Sequence, residues 1–315
     1  MAIAPVLAPR SPAGGGVSPS RRRGYWRTTA LAYLFLLPAV VIIAIFHFFA
    51  VGFAFYISLF NWKVASGAFL ALTNYAVILQ DSDFHQALVT TIWYAVLTVP
   101  ISIILALFAA LLLSRNLRGV TIFRTLFFIP YVTSTVAVTA VFMDLFTVRH
   151  PLPRLFALVG LPDTSWYADV HLALPFIALI YVWMSIGLYM VIFLSGLQSI
   201  SPELHEAAMV DGANRAQVFW RITLPLLRPF TFFVLVSGMI QAFQVFDQAY
   251  VVSGGTVLGG PAGATSTIVI YIFAEAFRYN RLGTASSAAV ILLFVVSAAT
   301  AALRSIFREE AAVAR

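Results

Sequence analysis

Six long apolar stretches recur along this chain, at about 29–60, 87–113, 120–146, 171–199, 230–252 and 284–306, and they leave few folds open to it. Each reaches or exceeds the ~20 residues an α-helix needs to cross ~30 Å of hydrocarbon. Inside hydrocarbon every backbone polar group must be paired within the protein, so these runs read as six transmembrane helices of an all-α membrane protein. Composition agrees with a lipid solvent: 61% of residues are hydrophobic and 10% charged, against roughly a quarter charged in ordinary soluble domains. So few charges cannot cover a water-soluble fold of this size, which excludes a soluble globular enzyme.

The absence of cysteine removes disulfides, thiolate metal sites and cysteine nucleophiles, and the five histidines (His47, His85, His150, His171, His205) lack ligand spacing. No catalytic or metal-binding residue is therefore expected. The net charge of +7 is not arranged as a basic stripe interleaved with aromatics, so nucleic acid is not an expected partner. Membrane topology explains the excess better. With the N-terminus in the cytoplasm, fourteen of the nineteen Arg and Lys residues fall on the inner side; only Lys63, Arg149, Arg154, Arg278 and Arg281 fall outside. That bias satisfies the positive-inside rule and puts both termini in the cytoplasm.

Residues 1–28 are Pro/Gly/Ser-rich, end in Arg21, Arg22, Arg23 and Arg27, and are expected to form a disordered basic cytoplasmic tail. The apolar run that follows is too long for a signal-peptide core and reads as an uncleaved first span. The spans then occupy 29–306, and 307–315 form a second cytoplasmic tail. Pro38, Pro100, Pro130 and Pro175 lie inside spans and predict kinks rather than breaks, because neighbouring helices can re-satisfy the freed backbone groups. Ser266 to Phe277 reads as a short helix at the outer surface. No inner segment exceeds about 30 residues and no Gly-x4-Gly-Lys-Ser/Thr loop is present, so the chain does not hydrolyse ATP by itself.

The inner loop 201–229, SPELHEAAMVDGANRAQVFWRITLPLLRP, holds six of the 31 charged residues. Ser201 can cap a helix opened by Pro202, with Glu203 near the positive end of its dipole. Leu204, Ala207, Ala208 and Asp211 follow helical spacing, and Gly212 suits a left-handed C-terminal turn. Asn214 can cap a second helix carrying Val218, Phe219 and Ile222, which Leu224 and Pro225 should stop. The expected product is a compact helix-turn-helix knob.

Glu206-Ala207-Ala208, then Gly212, Ile222 and Leu224-Pro225 at fixed spacing, resembles the EAA loop of permease subunits of ABC-type importers. Further resemblance to the carbohydrate-uptake branch (the maltose, glycerol-3-phosphate and disaccharide type) runs through Asn74-Tyr75, Phe123-Arg124-Thr125 to Ile129-Pro130, Gly196-Leu197-Gln198 to Pro202, and Phe246-Asp247 to Tyr250 followed by Ser253-Gly254-Gly255. Residues 254–261 depart from it as an insertion-like stretch. The resemblance implies a type I importer permease fold and a bacterial cytoplasmic membrane location. It also implies a coupling helix seated on a separate ATP-binding subunit, in which Glu206, Ala207, Ala208, Asp211, Gly212, Ile222, Leu224 and Pro225 take part. A homologous second permease forming a heterodimer, a dimer of ATP-binding subunits and an extracytoplasmic sugar-binding protein are the implied partners. ATP and Mg belong to the ATPase, and no cofactor is expected on this chain.

A sugar stripped of water needs polar groups at membrane depth and aromatic faces to stack on. Gln241, Gln244, Asp247 and Gln248 recur at three and four residues and are expected on one helical face, with Trp183, Gly187 and Tyr189 offering an aromatic wall beside a small residue on the fourth span. Interhelical hydrogen bonding is the structural alternative for the glutamines, and pairing with Arg278 or Arg281 that for Asp247. A di- or oligosaccharide or a polyol is the expected cargo, with a phosphorylated polyol such as glycerol-3-phosphate as an alternative. The other alternative, an ion-coupled secondary carrier, would need central ionisable residues and an inverted repeat, whereas the spans hold almost no central charge and show no repeat.

Overall fold

A computed structural model of the chain describes residues 19–62, 67–114, 119–158, 160–255 and 258–313. Most of the N-terminal tail, and with it Lys63, Arg115, Arg118, Thr256 and Val257, lies outside the described residues. The helices in chain order are α1 (Pro19–Ile43), α2 (Ala50–Ser58), α3 (Thr73–Ile78), α4 (Ser82–Leu113), α5 (Val120–Val132), α6 (Thr135–Leu145), α7 (Pro151–Ala157), α8 (Ala173–Ser199), α9 (Pro202–Val210), α10 (Arg215–Val218), α11 (Leu224–Leu226), α12 (Arg228–Phe243), α13 (Asp247–Val252), α14 (Ile268–Phe273) and α15 (Leu282–Val313). Among the described residues the sole β feature is an isolated bridge between Phe60 and Phe69, so the fold is all-helical.

Both expected tails are partly helical. Helix α1 starts at Pro19, inside the tail expected to be disordered to residue 28, and α15 continues to Val313. Proline's fixed φ suits a first helical position, where its missing N–H costs nothing. The chain forms two compact units, 1–53 and 54–315. In the first unit α1 carries Pro38 without a break and continues into a wide π turn at Ala44–Phe49. Its large apolar side chains, such as Phe35 and Phe48, are exposed, as lipid-facing groups are.

Among the described residues five helices are long and apolar enough to cross a membrane, at 31–58, 82–113, 173–199, 228–252 and 282–307, and the bent pair of α5 and α6 makes a sixth if it is one span. The core helix is α8, with 67% of its most apolar window buried against 39% for α4 and 17% for α15. Phe176, Ile177, Ile180, Tyr189, Met190 and Phe193 of α8 are all completely enclosed. Small residues let neighbours approach this helix: a Cβ on Gly187 would overlap the Phe127 carbonyl oxygen of α5. Gly187 is therefore the crossing point of α5 and α8.

The third span is not the continuous helix expected for 120–146. Helices α5 and α6 meet at 99° across Thr133 and Ser134, both in extended conformation. Proline 130 supplies no N–H to the last turn of α5, and the Thr133 hydroxyl bonds back to the Ile129 carbonyl at 2.9 Å, so the break is capped rather than left open. At the opposite end of the bundle from the 201–229 loop, Asn74 donates to the carbonyls of Ser58 (2.8 Å) and Phe60 (2.9 Å), while the Tyr75 and Ser58 hydroxyls lie 2.7 Å apart. Asn74 and Tyr75 thus tie the loop after α2 to α3.

Candidate functional site

The 201–229 loop forms the expected knob, with one change. The Ser201 hydroxyl accepts from the Glu203 N–H at 3.3 Å, and α9 ends in a Schellman turn: Ala213 N–H to Ala208 C=O (2.9 Å) and Gly212 N–H to Met209 C=O (3.1 Å). Gly212 has φ +85°, the left-handed conformation glycine adopts without strain. Asn214 and Gln217 then close a reciprocal capping box at 2.8 and 2.9 Å.

Leu224 and Pro225 do not stop the second helix as expected. The chain widens into a π turn at Phe219–Thr223 and continues through α11 into α12. The wider turn lets the proline fall in the first turn of a new segment, where its absent N–H breaks no bond. Ile222 and Leu224 are half-buried in this stretch. Helix α9, in contrast, contains no buried residue. Glu206, Ala207, Asp211 and Gly212 are exposed, Ala208 is half-buried, and the apolar Leu204, Met209 and Val210 also face outward. One contact to the following helix is the 3.2 Å pair of His205 Nε2 with the Thr223 hydroxyl.

A second feature lies where α5, α6 and α8 face the break between α12 and α13. A cavity of about 300 Å³ is lined by Tyr131 of α5, Thr135 of α6, Tyr181, Met184 and Ser185 of α8, and the segment from Gln241 to Gln248. Gln241, Gln244, Asp247 and Gln248 do gather there, although not on one continuous helix. The backbone leaves helical geometry between α12 and α13, with Gln244 at φ −102°, ψ 15° and Phe246 at φ −135°, ψ −57°. Non-helical backbone at membrane depth is tolerated where it lines a cavity or is buried in protein. Part of it is answered by Thr267, whose hydroxyl donates to the Val245 carbonyl at 3.0 Å. Asp247 occupies the first turn of α13, where the helix dipole favours a carboxylate. The expected alternative of pairing with Arg278 or Arg281 does not occur: the first donates to the Gly255 carbonyl and the second faces Glu275.

Trp183, in contrast, points away from the cavity: it is 43% exposed and packs on Phe142. Two residues along a helix amount to roughly 200° of rotation, so Tyr181 and Trp183 necessarily face opposite ways. Tyr189 stands one layer behind, its hydroxyl 3.0 Å from that of Tyr181, which in turn donates to the Gly238 carbonyl at 3.3 Å. The cavity residues missed by sequence reasoning are Tyr131, Thr135, Tyr181 and Ser185. Tyr181, Ser185 and Tyr189 recur at four residues, a polar stripe within an apolar span, and that spacing was the available signal.

Residues 99–309 match the family described as "Binding-protein-dependent transport system inner membrane component". The "Multiple sugar-binding transport system permease protein MsmF" of Streptococcus mutans is 30% identical over 276 residues, covering 86% of this chain and 91% of the relative. The "sn-glycerol-3-phosphate transport system permease protein UgpA" of Agrobacterium fabrum is 32% identical over 276 residues, covering 86% and 92%. Among solved structures, a chain of a bacterial ABC transporter involved in import of the acidic polysaccharide alginate superposes with a TM-score of 0.70 at 20% identity, covering 92% of this chain and 99% of that one. With the EAA spacing carried on an exposed, capped knob and a polar cavity lined by apolar spans, the chain belongs to the binding-protein-dependent transport system inner membrane component family and is a multi-pass ABC-importer permease subunit.

Proposed function

We propose that this subunit carries a neutral sugar, a di- or oligosaccharide, across the cytoplasmic membrane of a bacterium, with both termini inside. The observation that carries this reading is the cavity lining. Three glutamines, a serine, a threonine and two tyrosines supply donors, acceptors and aromatic faces, and among the described lining residues none is basic. A sugar desolvated at that depth needs this mixture of partners. A phosphorylated polyol is served poorly, because it would bring a charge of about −1.5 to −2 beside Asp247 with no cation to answer it. The relation to a glycerol-3-phosphate permease keeps that second reading in view, and the lining argues against it.

Gln241, Gln244 and Asp247 are exposed on the single chain although they belong to a membrane span, which supports a second permease closing the cavity from the open side. The outward-facing apolar side chains of α9 support its seating on an ATP-binding subunit, a dimer of which would need one knob from each permease. An extracytoplasmic binding protein would deliver the sugar. Replacing Gln241 and Gln244 together by Leu should abolish sugar uptake in proteoliposomes while the assembled complex still hydrolyses ATP when the binding protein docks. Unchanged uptake would defeat the assignment of the cavity.

A further inference from the structure

At the end of the bundle opposite the coupling loop, a second cavity of about 280 Å³ is lined by Asp83 and Gln86 of α4, by the 258–266 loop, by Tyr271 of α14 and by Glu275 and Arg278 of the π turn that follows. Glu275 is 5% exposed, and its Oε2 is enclosed with no hydrogen-bond partner. Its Oε1 has a cation at 3.7 Å, the Nη1 of Arg281. That distance is too long for a hydrogen bond, and the guanidinium also lies over the Tyr279 ring at 5.5 Å. Burial holds the Glu275 carboxyl above its usual range despite Arg281, with Asp81 and Asp83 adding to the effect. Asp81 stands directly behind, accepting from the Tyr271 hydroxyl at 2.7 Å. Arg278 is held at the rim by its 2.6 Å bond to the Gly255 carbonyl.

An enclosed carboxylate oxygen without a hydrogen-bond partner is costly; the cost is relieved by uptake of a proton, the direction in which burial pushes Glu275, or by a second cation brought beside the carboxyl group from the cavity. Among the described residues no three acidic or histidine side chains converge as they would around a metal ion, which leaves an organic cation. The room available suits one long side chain. We propose that this cavity is a socket for a single Lys or Arg side chain presented by the extracytoplasmic binding protein, with Glu275 as its inner anchor and Asp83 at the mouth. The proposal rests on the importer reading above and adds a specific docking contact to it.

The test uses the complete complex, both permeases with the ATPase, in proteoliposomes, titrated with its purified binding protein. The half-stimulating concentration should rise at least about tenfold in Glu275→Gln at low salt, and the dependence on ionic strength should flatten. Asp83→Asn, at an exposed position, should show a smaller shift in the same direction. The chain has no cysteine, so Gln86→Cys carrying a photo-reactive maleimide should cross-link the binding protein at a stretch containing Lys or Arg. If Glu275→Gln does not assemble, Asp83→Asn and the cross-link decide the matter. Stimulation of the wild-type complex with no shift in the variants, or a cross-link to a stretch without a basic residue, overturns the socket. A wild-type complex whose ATPase ignores the binding protein overturns the importer reading itself.

Discussion

Replacing Gly212 separates the conformation of the 201–229 knob, proposed to couple to the ATPase, from its bulk. A Cβ added there would meet nothing within 4 Å, and the position is exposed, so neither Ala nor Asn meets an obstacle at its first side-chain atom. They differ in what φ +85° demands of them. An alanine in the left-handed region costs about 1–2 kcal/mol, whereas Asn tolerates it at much lower cost. Helix α9 buries no residue, so that cost falls on the local stability of the knob and is not spread through the core. At 1.4 kcal/mol per tenfold, the open form of the Schellman turn should become roughly 5- to 30-fold more populated in Gly212→Ala. Amide exchange across 207–213 should quicken by that factor in the reconstituted complex, and more ATP should be hydrolysed per sugar delivered, with Gly212→Asn close to wild type. If Asn is as damaging as Ala, or if exchange is unchanged while coupling fails, the left-handed turn is not what the glycine provides.

Two further outcomes are expected. Gly187→Ala forces the Phe127 carbonyl of α5 away from α8, an overpacking worth about 1–3 kcal/mol, and should lower the thermal midpoint of the detergent-solubilised subunit; an unchanged midpoint would mean the two helices can part freely. Glu275→Gln should raise thermal stability at neutral pH, because a carboxyl whose folded value is raised weakens the fold above that value and ceases to do so as pH falls toward the unfolded value. The advantage should therefore shrink on acidification through that window, and a pH-independent advantage would place its origin in packing.

The six spans and the capped knob were legible because both rest on local chemistry: long apolar runs, Ser201 and Asn214 as caps, Gly212 as a left-handed residue. What escaped depended on tertiary geometry. Pro130 was expected to kink a span that instead turns through 99° at Thr133 and Ser134, since a proline shows that a bond is missing but not which neighbours will receive the freed groups. Leu224-Pro225 failed to stop a helix for a related reason, a π turn having absorbed the proline. Gln241, Gln244 and Gln248 meet at the cavity across a break in the helix rather than on one continuous face, and Tyr181 lines it where Trp183 does not, because the polar stripe of Tyr181, Ser185 and Tyr189, and not the largest aromatic, marks the inward side of α8.

The π turn that carries the chain past Pro225 also gives the knob a mechanical reach. From Arg215 to Phe243 the backbone is almost uninterrupted helix, interrupted only by a turn at Leu227, and α12 alone, at 16 residues, is a rod of about 24 Å. Its far end is the joint at Gln244, where helical stiffness stops at the cavity wall. In the proposed importer a displacement imposed on the knob would travel along the rod with little loss and be released as rotation at that joint. The stroke of the ATPase would then be felt first by Gln241 and Gln244, the two glutamines proposed to meet the sugar.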